Sequence, residues 1–368
     1  MVWCQPHIII ALLEGRPIGR RTTTELQPVA SAEKRLHMKL ALVLGIVLVV
    51  ASTEAFSQRT TTNARSAAAP RPRRELTPPF PDGVCGGELA TIPPSSTYSI
   101  DVRLAGNSLV LPPRPIQVWL PPDYRANAST KHPVIYCHDG QNAIVDNDSW
   151  TGRSWRMAGA VTRLYEYGLL TGPMPLLVLM PSEDSDLVPA VRRRHLEYGN
   201  VNSPFAKAHA DFVGKTLTQV IASRFRTDRS FLLGTSMGGQ ASLHILLKHP
   251  DKFEGAACLS PYFDDDIRKL VSSSASLRDK RIYMDIGGDV NEIKVPIFDF
   301  FDHTTEQHFW NPGYWWLDTQ LQASVKAMEQ ALRESRADLV SRTIPGGRHN
   351  ERAWSQRIHE PLLHLLHQ

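Results

Sequence analysis

The most informative segment of the sequence is Arg229-Ser-Phe-Leu-Leu-Gly-Thr-Ser-Met-Gly-Gly-Gln-Ala-Ser-Leu-His244. Its first half is apolar, as in a buried strand, and its second half has the pattern of an amphipathic helix. Between them, Gly234-Thr-Ser-Met-Gly238 fits G-x-S-x-G, in which the glycines permit a turn so sharp that it strains the serine and exposes its Oγ. Because the pattern lies between a strand and a helix, it predicts a nucleophile elbow at Ser236, with a plain glycine-rich turn as the alternative.

The same turn predicts where negative charge would be stabilised. The helix that begins after Ser236 directs the positive end of its dipole, together with the N–H of Met237, toward the place where a tetrahedral oxyanion forms. Ser236 is therefore the candidate nucleophile, and Met237 is a candidate donor to the oxyanion.

On both sides of this turn, short apolar runs alternate with helical stretches. The runs are 133–137, 176–180, 231–233, 256–259 and 282–286, and the helical stretches are 156–169, 209–225, 239–249 and 318–335. Fully apolar strands separated by crossover helices predict an α/β fold with a mostly parallel sheet flanked by helices. Alternating patterns at 98–104 and 116–120 predict an antiparallel pair of strands at the N-terminal edge of the sheet. A last strand near 337–344 and a closing helix from about Glu351 complete the pattern.

A serine nucleophile needs a base, and in this architecture the chain order is serine, acid, histidine. His349 lies in Ile344-Pro-Gly-Gly-Arg-His-Asn-Glu351, a glycine loop between the last predicted strand and the closing helix. A base at that end of the sheet can reach the elbow, and His349 is therefore the candidate base.

The acid belongs on the turn after the strand that ends near residue 286. The sequence offers Asp289 and Glu292 there, and both stay open. The acidic run 264–266 is a further option, although it is better explained as the start of a helix. Asp285 lies inside the predicted strand and would point poorly toward a histidine.

Composition limits the class of protein. The chain has 368 residues, of which 42% are hydrophobic, and only 4 are cysteines, which excludes a collagen-like, wholly disordered or disulfide-dense protein. Residues 1–84 contain 11 basic and 6 acidic residues, whereas the rest contains 30 and 31. The net charge of +4 therefore comes from the N-terminal segment, and the remainder lacks the positive charge that nucleic-acid binding requires.

The N-terminal segment has the pattern of a targeting sequence. The apolar run Leu40–Ala51 follows Met38-Lys39 and has the length of a signal-peptide core, which is short for a transmembrane helix. Small residues at Ala55 and Ser57 predict cleavage before Gln58, giving a secreted or periplasmic protein with no stable membrane span, while a longer transit sequence or a retained anchor stays open. The predicted parts are an extra leader at 1–37, a signal peptide at 38–57, a Pro/Arg-rich linker at 58–94 and a catalytic domain at 95–368.

Several separated blocks carry a family resemblance. They are 118–124, 134–142, 194–198, 234–239, 249–253 and 346–349. Together they resemble the putative-esterase family of α/β hydrolases, which includes enterochelin esterases, feruloyl and acetylxylan esterases and S-formylglutathione hydrolases. The resemblance covers about residues 95–365 and implies the α/β-hydrolase fold, with Ser236 as nucleophile and His349 as general base.

The resemblance also implies that the loop after His138 supplies a second oxyanion N–H, from Gly140 or Gln141. Family members commonly have the acid where this chain has Val290, so the acid is shifted, substituted or dispensable. No metal or other cofactor is implied, because His138-Asp139 with His195 and Glu197 do not have the spacing of a usual ligand set.

These features predict an exported serine carboxylesterase that acts through an acyl-enzyme on a small-molecule or carbohydrate-linked ester. An acyltransferase that passes the acyl group to a sugar or lipid hydroxyl is the alternative. Trp150, Trp155 and Trp315 belong to aromatic clusters that would stack on sugar or aryl groups of a substrate, and ordinary packing of an insertion explains these clusters equally well.

Overall fold

The computed structural model describes residues 76–94, 100–104, 107–111, 113–126, 128–182, 186–188, 191–287 and 317–367. The strands in these ranges are β1 (Glu88–Ile92), β2 (Ile100–Leu104), β3 (Asn107–Leu111), β4 (Ile116–Leu120), β5 (His132–His138), β6 (Leu176–Met180), β7 (Asp186–Val188), β8 (Val191–Arg192), β9 (Thr227–Thr235), β10 (Gly255–Leu259), β11 (Arg281–Gly287) and β12 (Asp338–Ile344). The helices are α1 (Met157–Glu166), α2 (Arg193–Tyr198), α3 (Pro204–Asp211), α4 (Thr218–Arg224), α5 (Met237–Lys248), α6 (Asp265–Ser273), α7 (Leu317–Glu334), α8 (Glu351–Ser355) and α9 (His359–Leu366). A π-helical turn, Phe212–Leu217, joins α3 to α4.

Eight of these strands form one mixed sheet in the order β1-β4-β6-β5-β9-β10-β11-β12. Strand β4 is antiparallel to both of its neighbours, and the other neighbouring strands pair in parallel. The mostly parallel α/β fold predicted from the alternating apolar runs is therefore confirmed.

The central strands of the sheet are buried on both faces, which explains why they are apolar throughout. In β5, Val134 and Tyr136 belong to the core on one face, and Ile135 and Cys137 belong to the core on the other. The first core includes side chains of α4, α5, α6 and α7, and the second includes side chains of α1, α8 and α9. Since neither face meets water, an alternating pattern would place polar groups in a core.

The N-terminal edge of the sheet is antiparallel, as predicted, but the two strands predicted to pair there, at 98–104 and 116–120, do not pair with each other. Strand β2 pairs with β3, from which only two residues separate it, in a separate two-stranded sheet, because such a short connection favours the local hairpin. Strand β4 instead pairs with β1, which lies inside the segment predicted as linker. That segment is attached to the domain by the buried Phe80 and by the indole of Trp119, which donates to the carbonyl of Val84 at 2.9 Å.

The closing helix predicted from Glu351 is two helices, α8 and α9, with Arg357 in the turn between them. Pro361 lies in the first turn of α9 and has no N–H to donate to the carbonyl of Arg357, so a continuous helix would lose that hydrogen bond. Within the ranges that the structure describes, no helix combines the length and hydropathy needed to cross a bilayer.

Candidate active site

Ser236 occupies a strained turn at the carboxyl end of β9. Its backbone has φ 53° and ψ −125°, outside the regions that L-residues ordinarily adopt, and the residue is half-buried. The glycines are required because the strand and helix approach closely. A Cβ on Gly234 would lie 2.3 Å from the carbonyl carbon of Gly238, and one on Gly239 would lie 3.0 Å from Cβ of Pro261. The strand, sharp turn and helix predicted from G-x-S-x-G are therefore all present.

The backbone of Ser236 is held from the next strand of the sheet. Its N–H donates to the carbonyl of Leu259 at 3.0 Å. Its own carbonyl accepts from the N–H of Gly239 and from the N–H of Tyr262, both at 3.1 Å. These bonds fix both polar backbone groups of the strained residue and so maintain its conformation.

The candidate oxyanion donors lie on two elements that meet at the elbow. Met237 is the first residue of α5, so its N–H has no acceptor within the helix. Gly140 and Gln141 begin a 3-10 turn, Gly140–Asn142, whose next two N–H groups, from Asn142 and Ala143, donate back to Asp139 and Gly140. Their own N–H groups therefore have no acceptor within that turn.

The loop after β5 packs directly against the elbow. A Cβ on Gly238 would lie 3.1 Å from Cβ of His138 and 3.2 Å from Oδ2 of Asp139. Gly140 must be a glycine because a Cβ there would lie 2.4 Å from the backbone nitrogen of Met180. The structure therefore places the loop that contains Gly140 and Gln141 against the first turn of α5, which begins at Met237.

Two side-chain interactions fix this loop. Gln141 exchanges hydrogen bonds with Ser182, since its Nε2 donates to Oγ and its Oε1 accepts the backbone N–H, both at 3.1 Å. Asp139 accepts from Nε and Nη2 of Arg194 at 2.8 and 2.7 Å and from Oγ of Ser182 at 2.5 Å. Because the side chain of Gln141 is engaged in this way, its contribution to an oxyanion site would come from its backbone N–H.

His349 is buried in the loop between β12 and α8, at the same edge of the sheet as Ser236. Gly346 in this loop has φ 67°, and a Cβ on Gly347 would lie 3.0 Å from Cα of Gly287. The imidazole ring meets the ring of Trp354 edge to face, with 5.1 Å between the centroids. The candidate base is therefore placed by the glycine loop that the sequence indicated and by an aromatic neighbour that it did not.

The two candidate acids, Asp289 and Glu292, lie outside the described residues, as does Trp315. The last described residue before them, Gly287, packs against the histidine loop at Gly347, so the chain leaves β11 beside that loop. Asp285 is unsuited to the role, because Arg357 and other groups described below occupy both of its carboxylate oxygens.

The alternative acids at 264–266 have other roles. Asp264 caps helix α6 by accepting the N–H of Ile267 at 2.9 Å. Asp265 and Asp266 pair with Arg268 and Lys269 at 2.9 and 3.3 Å on the same helix. This arrangement matches the helix start that the sequence indicated for the run.

Of the three tryptophans predicted to bind substrate, the structure describes Trp150 and Trp155, and these two differ in burial. Trp155 is fully buried among core residues of the face that carries α1, so packing explains it and contact with substrate does not. Trp150 is half-buried, and the guanidinium carbon of Arg194 lies 5.4 Å from the centre of its ring. Trp150 therefore keeps its place as a candidate substrate-binding residue, with Arg194 beside it.

A neutral pair of histidines supports the candidate oxyanion loop, residues 139–142, and no motif in the sequence indicated this pair. Nε2 of His138 lies 3.2 Å from Nε2 of His209, and burial, aided by His209, lowers the pKa of His138 to about 3. The hydroxyl of Ser242 donates to the carbonyl of Gly238, so it accepts from Nδ1–H of His138 at 2.9 Å. Nε2 of His138 must then accept from Nε2–H of His209, which fixes both tautomers.

A buried carboxyl follows His349 by two residues. Glu351 begins α8, and its Oε1 accepts a long hydrogen bond, 3.4 Å, from Nδ2 of Asn142 in the oxyanion loop. Burial, with a further contribution from the charge of Asp139, raises the pKa of Glu351 from 4.5 to about 7. No motif in the sequence indicates this group, because its burial depends on its contact with a loop that lies far away in the chain.

We expect Glu351 to make stability depend on pH. Its pKa is higher in the folded state than in the unfolded state, so its contribution is complete below pH 4.5 and is lost as the pH rises through about 7. Glu351→Gln keeps the shape without the charge, so relative to the wild type it should gain about 2–3 kcal/mol of unfolding free energy between pH 5 and pH 8. Urea unfolding of both proteins at the two pH values measures this, and an equal difference at both would contradict it.

Comparison with known families adds one extended match. The sequence profile of the family described as putative esterase matches residues 112–365. The matched range includes the elbow, the oxyanion loop and the histidine loop. No curated protein sequence matches the chain.

Solved structures with a similar fold include three hydrolases. The siderophore hydrolase EstA from Aspergillus nidulans has a TM-score of 0.50 at 15% identity, over 75% of this chain and 94% of that one. The enterobactin esterase FES from Shigella flexneri has a TM-score of 0.49 at 15% identity, over 80% and 63% of the two chains. A CE1 ferulic acid esterase from Anaeromyces mucronatus, solved with ferulic acid, has a TM-score of 0.47 at 14% identity, over 81% and 96%. At such identities the similarity concerns the fold alone.

Proposed function

Because the chain belongs to the putative esterase family, we propose that it is an exported serine carboxylesterase that uses Ser236 as nucleophile and His349 as general base. The observation that carries the proposal is the backbone of Ser236, with φ 53° and ψ −125° at the junction of β9 and α5. A serine that only capped a helix would have no need of this strained conformation, whereas a nucleophile must stand clear of the sheet.

The reaction follows from the arrangement of the two loops around the elbow. Oγ of Ser236 attacks the ester carbonyl carbon while His349 takes the hydroxyl proton, and the carbonyl oxygen becomes an oxyanion. The N–H of Met237 and the N–H of Gly140 or Gln141 stabilise that oxyanion. The bond to the alcohol breaks as His349 returns the proton to the departing oxygen, and water then hydrolyses the acyl-enzyme by the same steps.

The proposed substrate is a small-molecule or carbohydrate-linked ester. Support comes from the half-buried Trp150 beside the oxyanion loop, which offers an apolar face to a sugar or aryl group.

Two measurements test the proposed reaction. The purified protein is treated with a fluorophosphonate, which reacts covalently with activated serines, and its hydrolysis of p-nitrophenyl acetate is measured with and without an added alcohol. Labelling by the fluorophosphonate, together with release of free acetate that the added alcohol does not reduce, supports the esterase. Transfer of the acetyl group to the alcohol in preference to water would identify an acyltransferase, and absence of labelling would contradict the serine mechanism.

Export makes a separate prediction, on residues outside the described ranges. Expressed from Met38, the mature protein should begin near Gln58 in a secreted or periplasmic fraction, because the apolar run Leu40–Ala51 has the length of a signal-peptide core. Sequencing of the mature N-terminus checks this. A mature protein that still begins at Met38 would overturn the predicted cleavage site, and recovery of residues 1–37 on mature protein expressed from Met1 would overturn the predicted leader.

A further inference from the structure

Ser260 lies between the backbone of Ser236 and the tryptophan, Trp354, that packs against His349. It is fully buried, and its φ of 40° is in the left-handed region that a serine rarely adopts. The residue before it and the second residue after it hold the backbone of Ser236. The carbonyl of Leu259 accepts the N–H of Ser236, and the N–H of Tyr262 donates to the carbonyl of Ser236. The backbone conformation of Ser260 therefore affects the positions of the Leu259 carbonyl and the Tyr262 N–H.

The side chain of Ser260 contacts helix α8, which follows the histidine loop, and the turn after that helix. Its Oγ accepts from the indole Nε1 of Trp354 at 3.1 Å and from Nη2 of Arg357 at 2.8 Å. The ring of Trp354 is the one that meets His349 edge to face. A single hydroxyl oxygen thus links the segment that holds Ser236 to the residue that packs against His349.

Asp285 holds both Ser260 and Arg357 in place. Its Oδ1 accepts the N–H of Ser260 at 2.9 Å and Nη2 of Arg357 at 3.2 Å. Its Oδ2 accepts Nε of Arg357 at 2.9 Å and the hydroxyl of Tyr283 at 3.1 Å. Asp285 and Arg357 are 0% and 3% exposed, so this is a buried ion pair.

Stability alone explains such a pair poorly. Removing two charges from water is costly, and apolar residues of similar volume often replace a buried ion pair without loss of stability. A buried network whose hydrogen bonds are made does, however, restrict the geometry of the elements that it joins. Here those elements contact the backbone of Ser236 and the ring of His349.

We infer that Asp285, Arg357 and Ser260 form a positioning network that sets the placement of His349 relative to Ser236. The inference rests on the proposed function for these two residues. The three network residues act on the reaction through Ser236 and Trp354. A misplacement of about 1 Å in a reacting group lowers a rate by about a hundredfold, which gives the scale of the effect.

The decisive variant is the double substitution Asp285→Asn with Arg357→Met. Asn keeps an acceptor for the N–H of Ser260, and Met fills much of the volume of Arg357, so no charge is left buried without a partner. We expect the protein to fold with a melting temperature close to that of the wild type, while kcat and the rate of fluorophosphonate labelling fall about tenfold to a hundredfold and KM stays the same. A kcat per folded molecule equal to that of the wild type would overturn the inference.

Two further variants separate positioning from folding. Glu329→Gln with Arg333→Met removes an ion pair of 2.6 Å on the exposed side of α7 and should leave kcat unchanged. Trp354→Phe keeps an aromatic ring beside His349 but removes the N–H that donates to Ser260, and it serves if the double variant fails to fold. We expect Trp354→Phe to lower kcat about tenfold without changing KM, and an unchanged kcat would contradict the network.

A measurement that needs no activity distinguishes failure of this inference from failure of the proposed function. The ring of Trp354 lies 5.1 Å from the ring of His349, so its ring current should shift the NMR signals of the His349 ring protons. These signals are assigned by their loss in His349→Gln. The signals should move in the double variant of Asp285 and Arg357 and stay in place in the variant of Glu329 and Arg333. Wild-type protein that is not labelled would contradict the serine mechanism, whereas an unmoved His349 signal would overturn the positioning network whatever the activity.

Discussion

Ser236→Ala is expected to abolish fluorophosphonate labelling and to lower ester turnover by at least about a thousandfold, because the nucleophile, base and acid of a triad act as one unit. Alanine keeps the Cβ that Ser236 already accommodates at φ 53°, so the elbow should fold as in the wild type. The loss of labelling and turnover is then due to the missing Oγ. Labelling on a gel and hydrolysis of p-nitrophenyl acetate are the two measurements.

The matched control for this substitution is Ser273→Ala. Ser273 is exposed at the end of α6, where its hydroxyl donates to the carbonyl of Leu270 at 3.1 Å, so its removal should change neither labelling nor turnover. Wild-type labelling of the Ser236→Ala protein would end the serine-hydrolase proposal, and the site of reaction would have to be sought on another residue.

The second large effect concerns the acid. We expect Asp289→Asn to leave the fold intact and to lower turnover by about three to four orders of magnitude, as in triads whose histidine is held in the wrong tautomer. Glu292→Gln is the control on the same turn and should have little effect. Turnover across a full pH range is the measurement, because the true partner also stabilises the imidazolium, and its loss should lower the pKa on which activity depends.

Three other outcomes have definite meanings. A large loss in Glu292→Gln with little in Asp289→Asn would assign the role to Glu292, as a two-residue bulge after Gly287 would allow. Losses of no more than about tenfold in both would leave a dyad of Ser236 and His349. A large loss in both, with lower stability in one, would show that the second residue supports the turn and does not pair with the histidine.

The elements of the core were predictable because their patterns are local. A strand buried on both faces must be apolar throughout, and Leu176–Met180 was predicted with the bounds that the structure has. The turn at Ser236 was predictable for a similar reason, since a Cβ on Gly234 would lie 2.3 Å from the carbonyl carbon of Gly238, which leaves room only for glycine. The loop of His349 was found through its glycines and its place after the last strand.

Strand partners at the edge could not be read in the same way. The pattern of residues 116–120 predicts a strand, but it does not identify which neighbour accepts its hydrogen bonds. The choice of β1 depends on whether the segment around Phe80 packs on the domain, and the local composition of that segment resembles a linker. The buried side chains that attach this segment, such as Phe80, are too few to change its overall composition, so composition does not reveal the pairing of β1 with β4.

Residue patterns alone predict the α/β class, the elbow at Ser236 and the loop of His349. The class follows from apolar runs that alternate with helical stretches along the chain, whereas the elbow and the loop depend on residue types within one turn. Only the tertiary structure decided the surroundings of these residues: the histidine pair beneath the oxyanion loop, the raised pKa of Glu351, and the link from Asp285 through Ser260 to Trp354. Each of these joins residues that lie far apart in the chain. Their energies depend on burial and on distances of about 3 Å, which arise only when separate loops meet at one edge of the sheet.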